Sequence, residues 1–258
     1  MNKKINIITL FPEVFPGSLG VGLIGKALKN GVFEMNTIDL KKYSDKNYRV
    51  DDRPCGGGPG MIIKAEILSK CFDDNGFKRI FFLSPGGMKF DQKMAEFFRD
   101  EVEDINILCG RYEGIDARLF EEYEIIEISL GDFILCGGES AALCILESII
   151  RIIPGVLNNI ESSEQESFSD ILIEHSHYTK PNIWRSMAVP QVLLEGSHRN
   201  ILNWKIKNAI RNTKKYRYDL WISYKFSIFS FYFLKFSIKH INRVLIKNFL
   251  IKNYLIKN

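Results

Sequence analysis

The sequence predicts an α/β protein with a mostly parallel sheet in an N-terminal domain and a small helical domain after it. Three observations carry this prediction. Short apolar runs alternate with helix-like stretches between residues 5 and 153, the pattern of repeated strand–helix units. Residues 158–170, NNIESSEQESFSD, are polar, unperiodic and rich in Ser and Glu, which reads as an interdomain linker. Residues 190–217 then read as basic and helical. The expected organisation is a sheet domain over 1–157, the linker over 158–170, a helical domain over 171–221 and a divergent tail over 222–258.

Each element has its own signal. INIITLF (5–11) reads as a buried strand, broken by Pro12 and Pro16. VGLIGKALKNGVF has helical periodicity up to Gly31, and EMNTIDL reads as the next strand. DDRPCGGGPGMI (51–62) is an irregular glycine-rich loop, followed by a helix over 64–75. RIFFLSPGG is a strand running into a tight turn, with a helix from Asp91. INILCGRYEG repeats that strand-to-loop design, with a short helix over 116–123. EIIEISLGDFILCGGE contains two apolar runs with glycine breaks, and ESAALCILESIIRII is a long helix stopped by Pro154-Gly155. In the tail, VLIKNFLIKNYLIKN repeats every five residues, a period that fits neither a strand nor a helix face. It reads as low-complexity sequence with no assigned fold.

Composition narrows the function classes. The net charge of the 258 residues is +4, but residues 222–258 hold seven Lys or Arg and no acid. The remaining 221 residues therefore carry 28 basic against 31 acidic side chains, a net −3, and global charge does not select nucleic acid as a partner. Local charge is more informative: seven basic residues and no acid fall between Arg199 and Arg217. Five cysteines without a C-x-x-C pair or metal spacing, and no signal peptide, are expected to be buried thiols of a cytoplasmic protein. No stretch has the length and apolarity of a membrane span, and no metal site is expected.

Four glycine-bearing segments are candidates for chemistry. Gly20, Gly22 and Gly25 form a G-x-G-x-x-G, but eight residues and two prolines separate it from the strand it should follow directly. Close helix packing explains these glycines better, although a nicotinamide-dependent oxidoreductase using them stays open as an alternative. The other three are Ser84–Gly87, Cys109–Gly114, and Ser129–Asp132 with Cys136–Glu139, each following its own strand. Such turns gather at the carboxyl ends of strands, where α/β sheets bind ligands. Glycine lets main-chain N–H and C=O groups approach a flat heterocycle, and the apolar FIL at 133–135 offers a wall for adenine.

DDRPCGGGPGM, LSPGGMKFDQ, LCGRYEGIDAR, SLGDFILCGGE and IIPGVL, then HYTKP and VPQVLLEGSH, stand in the order found in the bacterial tRNA (guanine-N1)-methyltransferases. The resemblance covers about residues 1–218. It implies a SPOUT fold with a deep trefoil knot, an obligate homodimer, and methylation of N1 of guanosine 37 in tRNA, just 3′ of the anticodon. The three turns would be knot loops holding S-adenosylmethionine. The family's cofactor contacts fall on Leu83, Ser84, Pro85 and Gly86; on Gly110, Tyr112, Glu113 and Gly114; and on Leu130, Gly131, Asp132, Phe133, Ile134, Leu135, Gly137 and Gly138. The resemblance also suggests that magnesium assists.

By the same resemblance, Arg151 matches the family's catalytic arginine, and Glu166 stands where the family usually has an aspartate general base. The chemistry fits. N1 of guanine is a poor nucleophile until a base takes its proton, and a guanidinium offsets the charge that develops on O6. Gly86 replaces a common Gln, and Phe133 a common Tyr. Glu166 and the divergent tail leave open a weakened relative that binds cofactor or tRNA without efficient transfer. Arg53 in the glycine-rich loop, and Arg199, Lys205, Lys207, Arg211, Lys214, Lys215 and Arg217, are candidate tRNA contacts. Trp204 and Tyr216 are candidates for stacking on a splayed base.

Overall fold

The computed structural model describes residues 3–44, 49–101, 104–157, 167–168 and 171–237. The chain divides into two compact units, Met1–Ile160 and Glu161–Asn258. In the first, the elements are β1 (Lys3–Thr9), α1 (Gly22–Lys29), β2 (Phe33–Asp39), β3 (Asp51–Asp52), β4 (Ile62–Ile63), α2 (Ala65–Asn75), β5 (Arg79–Lys89), α3 (Gln92–Glu101), β6 (Asp104–Cys109), α4 (Leu119–Glu122), β7 (Glu124–Ser129) and α5 (Glu139–Ile150). Five strands form one sheet in the order β2-β1-β6-β5-β7, and every pairing is parallel. β3 and β4 make a separate antiparallel pair.

The strands read as continuous apolar runs because both faces of the sheet are covered. Ile5, Ile7, Phe81, Leu83 and Ile107 pack on one face against Ile145, Leu146 and Ile149 of α5. Ile8, Ile80, Phe82 and Leu108 pack on the other against Ile67, Leu68 and Phe72 of α2. Each fully buried side chain of this kind contributes about 1.5–3 kcal/mol. One polar ladder links four strands. Asn36 Nδ2 donates to Asn6 Oδ1 (3.2 Å), Asn6 Nδ2 to Asn106 Oδ1 (2.8 Å), and Asn106 Nδ2 to the Arg79 carbonyl (3.0 Å). The three asparagines are register partners, so each amide meets the next in line.

In the second unit, β8 (Ile183–Trp184) and β9 (Met187–Ala188) form a hairpin, followed by α6 (His198–Tyr216) and α7 (Tyr218–Ser237). Arg185 and Ser186 both take positive φ (47° and 65°), the two-residue turn that suits strand twist. The irregular segment before the hairpin is tied to α6 by side chains: the Ile173 N–H donates to Thr213 Oγ1 (3.0 Å) and the Ser176 N–H to Asn208 Oδ1 (2.7 Å).

Several details differ from the sequence reading. Ser84–Gly87 lies inside β5, whose register with β7 breaks between Leu83 and Met88. The FIL run forms no strand and is exposed, because no neighbouring strand takes up its backbone. Residues 222–237, given no fold from sequence, continue α7, since nothing in them interrupts a helix; the five-residue repeat lies outside the described residues. The β8–β9 hairpin was not anticipated, because its turn is Arg-Ser rather than glycine. Only Cys71 and Cys109 are buried; Cys55 and Cys136 sit on loops and Cys144 on the outer side of α5, so three thiols are exposed. No helix among the described residues is long and apolar enough to cross a membrane.

Candidate functional site

The three glycine turns converge. At the carboxyl ends of β6 and β7, beside the break in the β5 register after Leu83, lies a cleft of about 320 Å³. Of the residues expected there, Leu83, Ser84, Pro85, Gly110, Tyr112, Glu113, Gly114, Leu130, Gly131, Phe133, Leu135, Gly137 and Gly138 line it. Gly86, Asp132 and Ile134 do not. Asp132 instead pairs with Lys89 at the surface (3.4 Å), and Ile134 is 79% exposed. Arg111, Glu127 and Cys136 also line the cleft, and sequence reading did not select them.

The turns are held together by main-chain contacts that only glycine permits. The Gly138 N–H donates to the Gly110 carbonyl (2.8 Å). A Cβ on Gly110 would lie 2.7 Å from the Leu83 carbonyl oxygen, and one on Gly138 2.6 Å from Gly110 N. Gly87 is equally confined by the main chain of Glu127 and Ile128. Tyr112 takes a left-handed φ of 57°, which turns the second loop back on itself. The Glu113 N–H donates to the Met61 carbonyl (2.9 Å), and the Ile63 N–H to the Gly114 carbonyl (3.0 Å). The glycine-rich loop thus borders the second turn; Arg53, within that loop, is exposed.

A charged group lies under the turns. Arg111 Nη2 stands 2.8 Å from Glu139 Oε2, and Thr9 Oγ1 donates to Glu139 Oε1 (2.7 Å). Glu139 is buried at the N-terminus of α5, where the helix dipole favours a carboxylate. Nearby Cys109 has its thiol pKa pushed well up, chiefly by burial and then by the Glu139 charge. Tyr112 is also shifted upward, first by burial and then by Asp51, so its phenol stays neutral.

Gly20–Gly25 takes no part in the cleft. Gly22 opens α1, and Gly25 packs so closely on the Gly20 carbonyl that any Cβ would collide with it. Gly20 and Gly25 serve packing and Gly22 a left-handed turn (φ +61°) into the helix, which removes the basis for the nicotinamide reading. Arg151 ends α5 and does not line the cleft. Glu166 lies outside the described residues. Just after it, Ser167 Oγ accepts the Glu174 N–H (3.0 Å), and the Phe168 N–H donates to the Leu172 carbonyl (2.9 Å).

On α6, Lys207, Arg211 and Lys214 are exposed and fall within about 60° of one another around the helix. Arg199 and Lys215 are exposed at the margins of the same face. Lys205 is the exception: it is half-buried on the flank that carries Asn208 and Asn212. Arg217 is engaged by Asp219 (2.6 Å) and lies over the Phe168 ring. Trp204 packs edge-on with His175 and Tyr178, whereas Tyr216 is open to solvent. Among the described residues, no group of three or more His, Cys, Asp or Glu is placed to hold a metal ion.

Residues 3–223 match the family described as tRNA (Guanine-1)-methyltransferase TrmD. A tRNA (guanine-N(1)-)-methyltransferase of Pelagibacter ubique is 46% identical over 225 residues, 86% of this chain and 98% of the relative. One from Cereibacter sphaeroides is 44% identical over 230 residues, covering 86% of this chain and 92% of the relative. Another from Ehrlichia ruminantium is 44% identical over 223 residues, 84% and 94% of the two chains. With the three glycine turns meeting at one cleft, and with similarity running over nearly the full length of these relatives, the chain belongs to the tRNA (guanine-1)-methyltransferase TrmD family.

Proposed function

We propose that this protein is a cytoplasmic enzyme that transfers a methyl group from S-adenosylmethionine to N1 of guanosine 37 in tRNA. The observation that carries the proposal is the convergence of three glycine turns on one cleft in a chain of this family. The cleft suits the cofactor. Gly114, at φ +123°, has nothing within 4 Å of the place a Cβ would occupy, which leaves room beside the main chain. Leu130, Phe133 and Leu135 supply apolar walls for adenine, and the carboxylates of Glu113 and Glu127 suit the ligand's sulfonium and ammonium charges. When bound, S-adenosylmethionine supplies an electrophilic methyl group on its sulfonium sulfur.

The rest of the chemistry belongs to the chain. Glu166 takes the N1 proton of guanine, which turns N1 into a nucleophile. Arg151 offsets the negative charge that then builds on O6. The rise of ten residues along α5 separates Arg151 from Ala141, the last helical residue lining the cleft, by about 15 Å, further than an arginine side chain reaches. This supports a homodimer in which Arg151 of one protomer meets the cleft of the other. The trefoil knot belongs to the same proposal, as does an RNA-binding face on α6 made by Lys207, Arg211 and Lys214, with Arg199 and Lys215 beside them.

Primer extension tests the reaction. The protein is incubated with S-adenosylmethionine and a tRNA transcript carrying guanosine at the last anticodon base and at position 37. N1 methylation blocks Watson–Crick pairing, so reverse transcription should stop at position 37. Folded protein that binds S-adenosylmethionine yet gives no stop would overturn the proposal. Glu166→Gln should abolish the stop. Glu166→Asp should hasten it, because one surplus methylene displaces the base by about 1 Å, worth up to roughly a hundredfold.

A further inference from the structure

The group of buried Thr9 and Glu139 with half-buried Arg111 has no part in the chemistry above. It joins three separate segments: the end of β1, the second turn, and the start of α5. The Arg111 guanidinium lies 4.2 Å above the Phe11 ring, faces Glu139 Oε2, and through Nη1 donates to the Cys136 carbonyl (3.2 Å). Gly137 lies so close to the guanidinium that a Cβ there would collide with it. The third turn therefore rests directly on the Arg111 side chain.

We infer that Arg111 is a positioning residue for the methyl donor: through the Cys136 carbonyl it sets the third turn against the second and fixes the width of the cleft. The inference rests on the reading of that cleft as the S-adenosylmethionine site. Stability alone does not account for the arrangement. A buried ion pair is a weak stabiliser, and replacing both partners by uncharged groups is often neutral or favourable. Here the pairing is also incomplete, since neither Arg111 Nε nor Glu139 Oε2 has a hydrogen-bond partner among the described residues. What the guanidinium adds is geometry. Its flat fork faces a carboxylate, holds a carbonyl and stacks on an aromatic ring at once, which a lysine ammonium does not do.

The test separates stability from positioning. Arg111→Gln, Glu139→Gln, the double variant and Arg111→Lys are compared by thermal melting and by calorimetric titration with S-adenosylmethionine. Arg111→Gln should melt lower, because it leaves the Glu139 carboxylate buried alone. The double variant should regain most of that loss, since no buried charge remains. Affinity should not return with it. Arg111→Gln, Arg111→Lys and the double variant should bind S-adenosylmethionine at least about tenfold more weakly than the unmodified protein. A double variant with unmodified affinity, or an Arg111→Lys protein that binds as the parent does, overturns the inference and leaves the cleft's assignment intact. Failure of the unmodified protein itself to bind S-adenosylmethionine would overturn both.

Discussion

Replacing Gly138 by Ala asks how tightly the third turn is seated on the second. Gly138 has φ −76° and ψ −11°, a conformation any residue adopts, so alanine brings no backbone strain. The cost is steric. The new Cβ would lie 2.6 Å from Gly110 N and 2.8 Å from Cys109 Cα, both main-chain atoms of a buried strand end. Comfortable separation is about 3.5 Å, so the two turns must part by roughly 1 Å. Overpacking of this kind costs about 1–3 kcal/mol. In a unit of this size each kcal/mol lowers Tm by about 2–4 °C, which predicts a fall of roughly 2–12 °C. The Gly138-to-Gly110 hydrogen bond also lengthens, and a displacement of about 1 Å in a binding site can cost up to about a hundredfold. Thermal melting and titration with S-adenosylmethionine measure both effects. Gly86→Ala is the stability control: its nearest neighbours would be 3.7 and 3.9 Å away, so Tm should hold. A Gly138→Ala protein with unchanged Tm and affinity would refute the claim that this close approach shapes the cleft.

Further outcomes follow from the same geometry. Changing Lys207, Arg211 and Lys214 together to Gln should weaken tRNA binding and reduce the slope of log K against log salt by about 0.7–0.9 per charge removed. An unchanged slope would exclude that face of α6 as a phosphate contact. Cys71, whose thiol burial pushes up to about 12, should be almost entirely protonated at pH 8, with a thiolate fraction of roughly one in ten thousand. Native protein should therefore leave Cys71 and the similarly shifted Cys109 unlabelled by a thiolate-selective reagent at that pH; rapid labelling of either would contradict their burial. Asn6→Leu should destabilise the sheet by about 1–3 kcal/mol in a denaturant melt, because it leaves the buried Asn106 Oδ1 without its donor. A variant as stable as the parent would show that the ladder carries no net weight.

The site was legible in the sequence to the extent that it is made of backbone. A turn that presents main-chain groups at a strand end needs glycine, and the runs at 84–87, 109–114 and 129–139 announce it by composition. Arg111 gave no such signal. Its importance comes from Glu139, twenty-eight residues away in sequence, and from a carbonyl that any residue type would supply. Gly86, Asp132 and Ile134 were selected with their neighbours because a motif does not tell which side of a loop faces inward. Lys205 stands apart from the other basic residues for a related reason. A cluster of charges along a chain becomes a face only when the helix is wound, and winding turns Lys205 away from Lys207.

The alternation of apolar runs and helical stretches by itself determined the parallel sheet, because strands covered on both sides have no polar face to display. The G-x-G-x-x-G at Gly20–Gly25 shows the opposite case. The same three letters serve a phosphate or a tight helix contact, and only the packing of Gly25 on the Gly20 carbonyl decided between them. Tertiary structure alone also decided that three turns from separate strands share one cleft, and that a single half-buried guanidinium lies beneath two of them. Local sequence dictates what a segment can become. Convergence depends on strand order and on the twist of the sheet, and these are settled only when the whole chain packs.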